Sequence, residues 1–285
     1  MSRWRISAIS YLNTAPLMWE FEQGPGYTKL RPAFEIDYTI PSRCAQMLAA
    51  ASADIGIIPV AAYASIPGLR ILPDVAIASK GAVRSILLVS KGPLDRIRTI
   101  ALDSSSRSSA ALIQILFRKY WEQEAQFAPA EPDLASMLAS YDAALLIGDP
   151  ALRVDASLYQ TWDLASEWRN FTGKPFVFAF WAVRAGAASE EELAELAEIF
   201  CHSRDEGLRH IPEISGDWSN RLALPPELIE SYLRENIHYH LDRENLEGME
   251  LFFRLSAELG LLPAAPELRF AAELEIRNSG LGNRF

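Results

Sequence analysis

Three observations predict an α/β fold of two lobes facing one another across a cleft. Short apolar strands alternate with helices from the N-terminus onward. The pattern recurs in a second unit after roughly 80–90 residues. Two apolar runs, Ser85–Ser90 and Phe176–Val183, are placed to carry the chain between the units as a double hinge. The 285 residues, 49% of them hydrophobic, are enough for a buried core in each unit. With 15 Gly, 17 Pro and no low-complexity tract, a disordered or fibrous chain is excluded.

Residues 5–9 read as a first strand, and Ser10–Pro16 as a loop entering a helix. Pro16 suits the first helical turn, where its missing N–H costs nothing. A second strand runs Phe34–Ile40 and ends at Pro41-Ser42, with Ser42 as the N-cap of a helix reaching about Ala51. Asp54-Ile55-Gly56-Ile57-Ile58-Pro59 is a short strand whose proline opens the next helix. In the second unit, Arg98–Leu102 is a strand, Asp103–Ser109 a polar loop and Ala110–Trp121 a helix. Asp142–Pro150 repeats the logic of residues 54–59, an Asp leading aliphatics into a proline. After Ser189 the chain reads helical. Ser189–Glu192 is a capping box with Leu193, Leu196, Ala197 and Phe200 as the apolar face behind it. Pro225-Pro226 opens a helix through about His240. Asp242 caps a last one, with Leu251, Phe252, Leu255 and Leu259 as its apolar face and Gly260 and Pro263 ending it. These late helices are expected to clad the first lobe, giving lobe 1 as residues 1–90 plus 184–285 and lobe 2 as 91–183.

Composition excludes several function classes. The net charge of −10 argues against a nucleic-acid partner. Cys44 and Cys201 lie too far apart for a metal motif and are read as reduced thiols. Arg3 and Arg5 are followed by no apolar export segment, and the longest apolar run, Pro175–Val183, is far shorter than the ~20 residues of a membrane span. The expectation is a soluble, cytoplasmic protein with no membrane insertion. All four histidines fall between 202 and 240, and on a helix His238 and His240 point away from each other, so no metal site is expected. No G-x-S-x-G elbow, P-loop, G-x-G-x-x-G or H-E-x-x-H is present.

What remains are polar loops at the C-terminal ends of strands, the usual ligand position in open α/β sheets. Ser10–Thr14 puts Asn13 in a strand-to-helix turn, where it either meets a ligand or bonds its own backbone. Asp103–Ser109 offers amides and hydroxyls at a helix N-terminus, with Arg107 adding charge; one serine acting as an N-cap is the plainer reading. Arg84-Ser85 is a polar pair at the head of an apolar strand, either exposed or facing a cleft. Gly148-Asp149 has the same placement, with Asp149 as N-cap, hydroxyl ligand or base. Glu167–Phe176 brings aromatics and Lys174 just before the second apolar run, to line a cleft or to pack the lobe. These features alone stop at a two-lobed protein that binds a small anion.

Taken in order, Tyr11–Leu17, Asp54–Pro59, Ser104–Ser109, Leu146–Asp149 and Glu167–Ala179 carry a further signal. The series, across roughly residues 5–262, resembles the chorismate dehydratases of the futalosine route to menaquinone. Ser108 stands where Thr is common in that family, which keeps the hydroxyl. The chain after about Pro263 takes no part in the resemblance. It implies a type II periplasmic-binding-protein fold and dehydration of chorismate to 3-[(1-carboxyvinyl)oxy]benzoate, without a cofactor or an obligate protein partner. By the same resemblance Asn13 and Ser85 are catalytic or orient the substrate, and Ser104, Ser105, Ser106, Arg107 and Ser108 hold a substrate carboxylate. Ser10, Gly148 and Asp149 complete the expected binding set. No His or Glu sits in the N-terminal motifs to act as base, so the substrate's own enolpyruvyl carboxylate is the expected proton acceptor.

The rival enzyme is the sister 1,4-dihydroxy-6-naphthoate synthase of the same route. A solute-binding protein of a transporter is the non-catalytic rival. Charge resolved along the chain accommodates a dianion: residues 1–128 hold 14 basic and 10 acidic side chains, residues 129–285 hold 13 and 27. Arg43, Arg84 and Arg107 lie in the positive part and are expected near the substrate.

Overall fold

The computed structural model describes residues 3–272. Its strands are β1 (Trp4–Ile9), β2 (Phe34–Thr39), β3 (Ile55–Pro59), β4 (Arg70–Ser79), β5 (Ile86–Ser90), β6 (Thr99–Asp103), β7 (Gln126–Ala130), β8 (Ala143–Ile147), β9 (Gln160–Asp163) and β10 (Phe176–Val183). They form two five-stranded sheets, ordered β2-β1-β3-β10-β4 and β7-β6-β8-β5-β9. In each, three strands run parallel and a fourth, β10 or β5, pairs antiparallel on both sides. The repeat legible in the sequence is thus a repeat of sheet topology.

The aspartates that lead β3 and β8 do the same work in both lobes. Asp54 accepts from the Arg5 backbone N–H at 3.2 Å, from its Nη2 at 2.7 Å and from Arg184 Nη2 at 3.1 Å. The Arg5 hydrogen bonds hold its carboxyl down at about 2, and burial opposes them. Asp142 accepts from the N–H groups of Arg98 and Thr99 at 2.9 Å each. Each carboxylate pins the head of the neighbouring parallel strand, β1 or β6.

Strand pairing moves the expected lobe boundaries. β5 lies wholly in the second sheet and β10 wholly in the first, so the chain crosses at residues 80–85 and 173–175 rather than at 90 and 183. An apolar run reports burial, and burial is the same in either sheet. Residues 273–285 of the expected first lobe lie outside the described residues.

Ser42 does not cap its helix. Pro41 takes the first helical position behind Ile40, and the Ser42 N–H donates to Ser105 O at 3.1 Å. The helix opened by Pro226 ends early, in a π-turn over Tyr232–Asn236. Residues 237–241 are extended, because His238 exchanges backbone hydrogen bonds with Ala78 of β4 at 2.8 and 2.9 Å. His238 and His240 therefore face one side, ring centroids 5.7 Å apart, each beside its own carboxylate, Asp242 and Asp74. Helix Arg243–Glu258 is capped by Asp242 as expected, but it buries Met249, Phe252 and Phe253 while Leu251, Leu255 and Leu259 stay half-buried. Gly248 sets that rotation: a Cβ there would lie 2.3 Å from Pro175 O at the second crossing. Cys44 is buried and Cys201 half-buried, both free. Among the described residues no helix is long and apolar enough to cross a membrane.

Helix Glu190–Arg209, with its capping box, packs on helix Ala15–Glu22. Gly207 makes the approach possible, since a Cβ there would stand 1.8 Å from the Pro16 carbonyl oxygen. Gly207→Ala is expected to cost about 2–4 kcal/mol and to lower Tm by roughly 5–15 °C, measured by calorimetry. Gly216→Ala, on a neighbouring helix with open space around its Cβ position, is expected to leave Tm unchanged or raised.

Candidate active site

A small cavity of about 40 Å³ lies between the lobes, where β1, β3, β6 and β8 end and β5 begins. Ile9, Ile77, Ile86, Ile147 and Phe178 give it an apolar floor. Its polar groups are Tyr11, Asn13, Ser85, Ser106, Ser108 and Ser109. No charged side chain is among its lining residues.

Four hydrogen bonds close the lobes over it. Leu12 N–H donates to Asp149 Oδ1 at 3.0 Å, and Ala61 N–H to Ser108 Oγ at 3.0 Å. Tyr11 Oη lies 3.3 Å from Ser105 Oγ, and Ser42 N–H reaches Ser105 O. Burial pushes Asp149 up to about 6 and the Tyr11 phenol to about 12. At neutral pH Asp149 is therefore an acceptor and Tyr11 keeps its proton.

The residues singled out from sequence divide into two groups. Asn13, Ser85, Ser106, Ser108 and Gly148 line the cavity. Ser105 stands behind Tyr11, its Oγ donating to Asp103 Oδ1 at 2.5 Å. Asp149 sits behind the Leu12–Thr14 turn as a latch, not in the cavity wall. Ser10 lines a separate pocket beside Tyr38, Trp218 and Arg221. Ser104 and the three arginines do not reach the cavity. Ser104 and Arg107 are exposed at the mouth of the helix that Ser106 caps. Arg43 is exposed and turns its Nη1 to Gln46, and the exposed Arg84 has a left-handed backbone (φ +63) whose N–H is held by Asp163. The substrate-binding role expected of these side chains has no support in their positions.

Ser106 Oγ accepts from Ser109 N–H at 3.2 Å, the capping bond that opens helix Arg107–Ile115. The N–H groups of Arg107 and Ser108, at the first two helical positions, have no acceptor among the described residues. Positive potential in this wall thus comes from the helix terminus rather than from arginine.

Two neighbours of the cavity were given no role of their own from the sequence. Asp103 is buried, its carboxyl pushed up by that burial, with Oδ2 left without a partner. Tyr232, in the π-turn, is fully buried and donates to Ser85 Oγ at 2.8 Å. In the sequence it reads as one more aromatic on a core-facing helix.

A family model described as menaquinone biosynthesis matches residues 4–258. The chain belongs to that family. Within the menaquinone biosynthesis family's span lie both sheets, both crossings and every residue of the cavity. The chain is 29% identical over 276 residues to the chorismate dehydratase of Thermus thermophilus, covering 90% of this chain and 94% of that protein. A structural-genomics protein from Archaeoglobus fulgidus superposes with a TM-score of 0.70 at 16% identity, over 90% of this chain and 98% of the other. The periplasmic aliphatic sulphonate binding protein of Escherichia coli superposes at 0.65 and 16%, over 93% and 95%. At such identities the likeness is one of fold. This member of the menaquinone biosynthesis family has the two-lobed periplasmic-binding-protein fold expected from its sequence.

Proposed function

We propose that this protein dehydrates chorismate to 3-[(1-carboxyvinyl)oxy]benzoate, a hydro-lyase step that opens the futalosine route to menaquinone. The observation that carries the reading is the joint one: near full-length similarity to a chorismate dehydratase, with Asn13, Ser85 and the Ser106-capped helix facing one closed cavity. Chorismate is a dianion. The unpaired Ser108 amide and the Ser108 and Ser109 hydroxyls are the donors that suit one of its carboxylates.

The reaction needs a proton removed from the ring carbon bearing the enolpyruvyl ether. The ring carboxylate, conjugated through the diene, acidifies that C–H, and charge developing on it is stabilised by preorganised hydroxyls and amides. The substrate's enolpyruvyl carboxylate takes the proton. The ring hydroxyl then departs as water with that proton, the ring becomes aromatic, and no redox partner is required. Asn13 and Ser85 fix the enolpyruvyl arm over the C–H. Water is excluded by the four interlobe hydrogen bonds, which strengthens each electrostatic contact inside.

Incubation with chorismate is expected to replace the diene absorbance by that of a substituted benzoate, identified by chromatography and mass spectrometry. Recovery of unchanged chorismate would sink the reading. Unchanged chorismate bound tightly would instead favour a non-catalytic binding protein, as the Escherichia coli neighbour is named.

A further inference from the structure

We propose that Tyr232 is a positioning residue for the cavity, setting the direction of the Ser85 hydroxyl so that Ser85 always donates toward the ligand. Ser85 Oγ and its bound proton have one donor to offer. The Tyr232 O–H donates to Ser85 Oγ at 2.8 Å, so the Ser85 oxygen is used as an acceptor on that side. Its own O–H is left to point elsewhere, and Ser85 lines the cavity. The phenol is completely buried and burial raises its pKa far above the usual range, so it keeps the proton that it donates.

Two further contacts make the arrangement rigid. The Ser85 carbonyl accepts from Gly148 N–H at 2.7 Å, fixing the backbone of the first crossing to the second lobe. Asn236, at the end of the same π-turn as Tyr232, donates from Nδ2 to Ala82 O at 2.9 Å. The π-turn thus grips the crossing at both Ala82 and Ser85, and such turns are frequent at functional sites. Asn13 lines the same cavity as Ser85. The Tyr232 hydroxyl therefore bears directly on one of the two polar groups expected to orient the substrate. A plain core tyrosine would need any hydrogen-bond partner; this one has the cavity's own serine.

The assay rests on the dehydratase reading, whereas the geometry does not. Tyr232→Phe keeps the ring and removes the donor. It is expected to lower kcat for chorismate roughly 10- to 100-fold with KM within about twofold, because a misdirected donor no longer holds the enolpyruvyl arm over the C–H it deprotonates. In a Ser85→Ala background the same change is expected to cost less than about twofold, since there is no hydroxyl left to orient. Retention of kcat within about twofold in Tyr232→Phe, or additive losses in the double variant, would overturn the proposal. Wild-type protein that leaves chorismate intact would refute the dehydratase reading and pass the decision to a second measurement. In protein labelled with 13C at tyrosine Cζ, the Tyr232 resonance, assigned by its loss in Tyr232→Phe, is expected to shift on Ser85→Ala. An unmoved resonance would refute the assignment of Tyr232 to Ser85.

Discussion

Replacing Asn13 by alanine is expected to lower kcat for chorismate by about 10²–10⁴ while the dissociation constant moves by no more than roughly threefold. The expectation follows from how firmly the residue is held. Asn13 is the middle of the single turn Leu12–Thr14, between β1 and helix Ala15–Glu22. The turn is closed by Thr14 N–H on Tyr11 O at 3.0 Å, and its first N–H is tied to Asp149 in the other lobe. Thr14 Oγ1 lies 3.5 Å from Asn13 Oδ1, which directs the amide nitrogen away from Thr14. A side chain so constrained supplies geometry rather than affinity, and binding is carried by the donors of the Ser106–Ser109 wall. Steady-state kinetics together with calorimetric titration of a slow variant separate the two. A variant with normal kcat would remove Asn13 from the chemistry. If Ser85→Ala were equally active, the substrate-orienting pair would have to be abandoned. A chorismate analogue without the enolpyruvyl carboxylate is expected to bind unreacted, and its turnover would require a base on the protein.

The strands that carry the site loops were legible because their signal is local; β4, β7 and β9 were not read as strands. β1, β3, β6 and β8 each show a short apolar run followed by a polar or proline stop, and the loops beyond them hold Asn13, Ser106, Ser108 and Gly148 at the cavity. Sheet membership was not legible, since β5 and β10 are equally apolar in either lobe and only hydrogen bonding across long separations decides. The arginines show the limit of charge counting. A positive segment says which residues are near in sequence, but the side-chain direction at Arg84 or Arg107 depends on backbone dihedrals and helix phase. Tyr232 was invisible for a related reason: its partner Ser85 lies 147 residues away, and nothing in a helical apolar pattern marks one buried aromatic as bearing on a site.

Gly148 is where fold and site meet most tightly, and Gly148→Ala is expected to raise KM for chorismate roughly 30- to 150-fold. The backbone there is left-handed (φ +61), which costs an alanine about 1 kcal/mol. More important is what the new methyl meets: its Cβ would stand 2.6 Å from Cδ2 of the Tyr11 ring. Tyr11 cannot yield without giving up Ser105, the side-chain bond that joins the lobes at the cavity. Neighbouring residues share the strain, because Gly148 N–H holds Ser85 O and Asp149 holds Leu12 N–H. The variant can fold with the lobes apart, where Tyr11 no longer faces residue 148, so the penalty of about 2–3 kcal/mol falls on the closed form. Only ligand binding can then repay it, which is why the loss appears in KM, while kcat at saturation stays within about threefold. Small-angle scattering is expected to show a larger radius of gyration for the unliganded variant than for wild type, converging when chorismate is added. A fall in kcat with unchanged KM would instead place Tyr11 in the chemical step, and the four interlobe bonds would no longer account for its position.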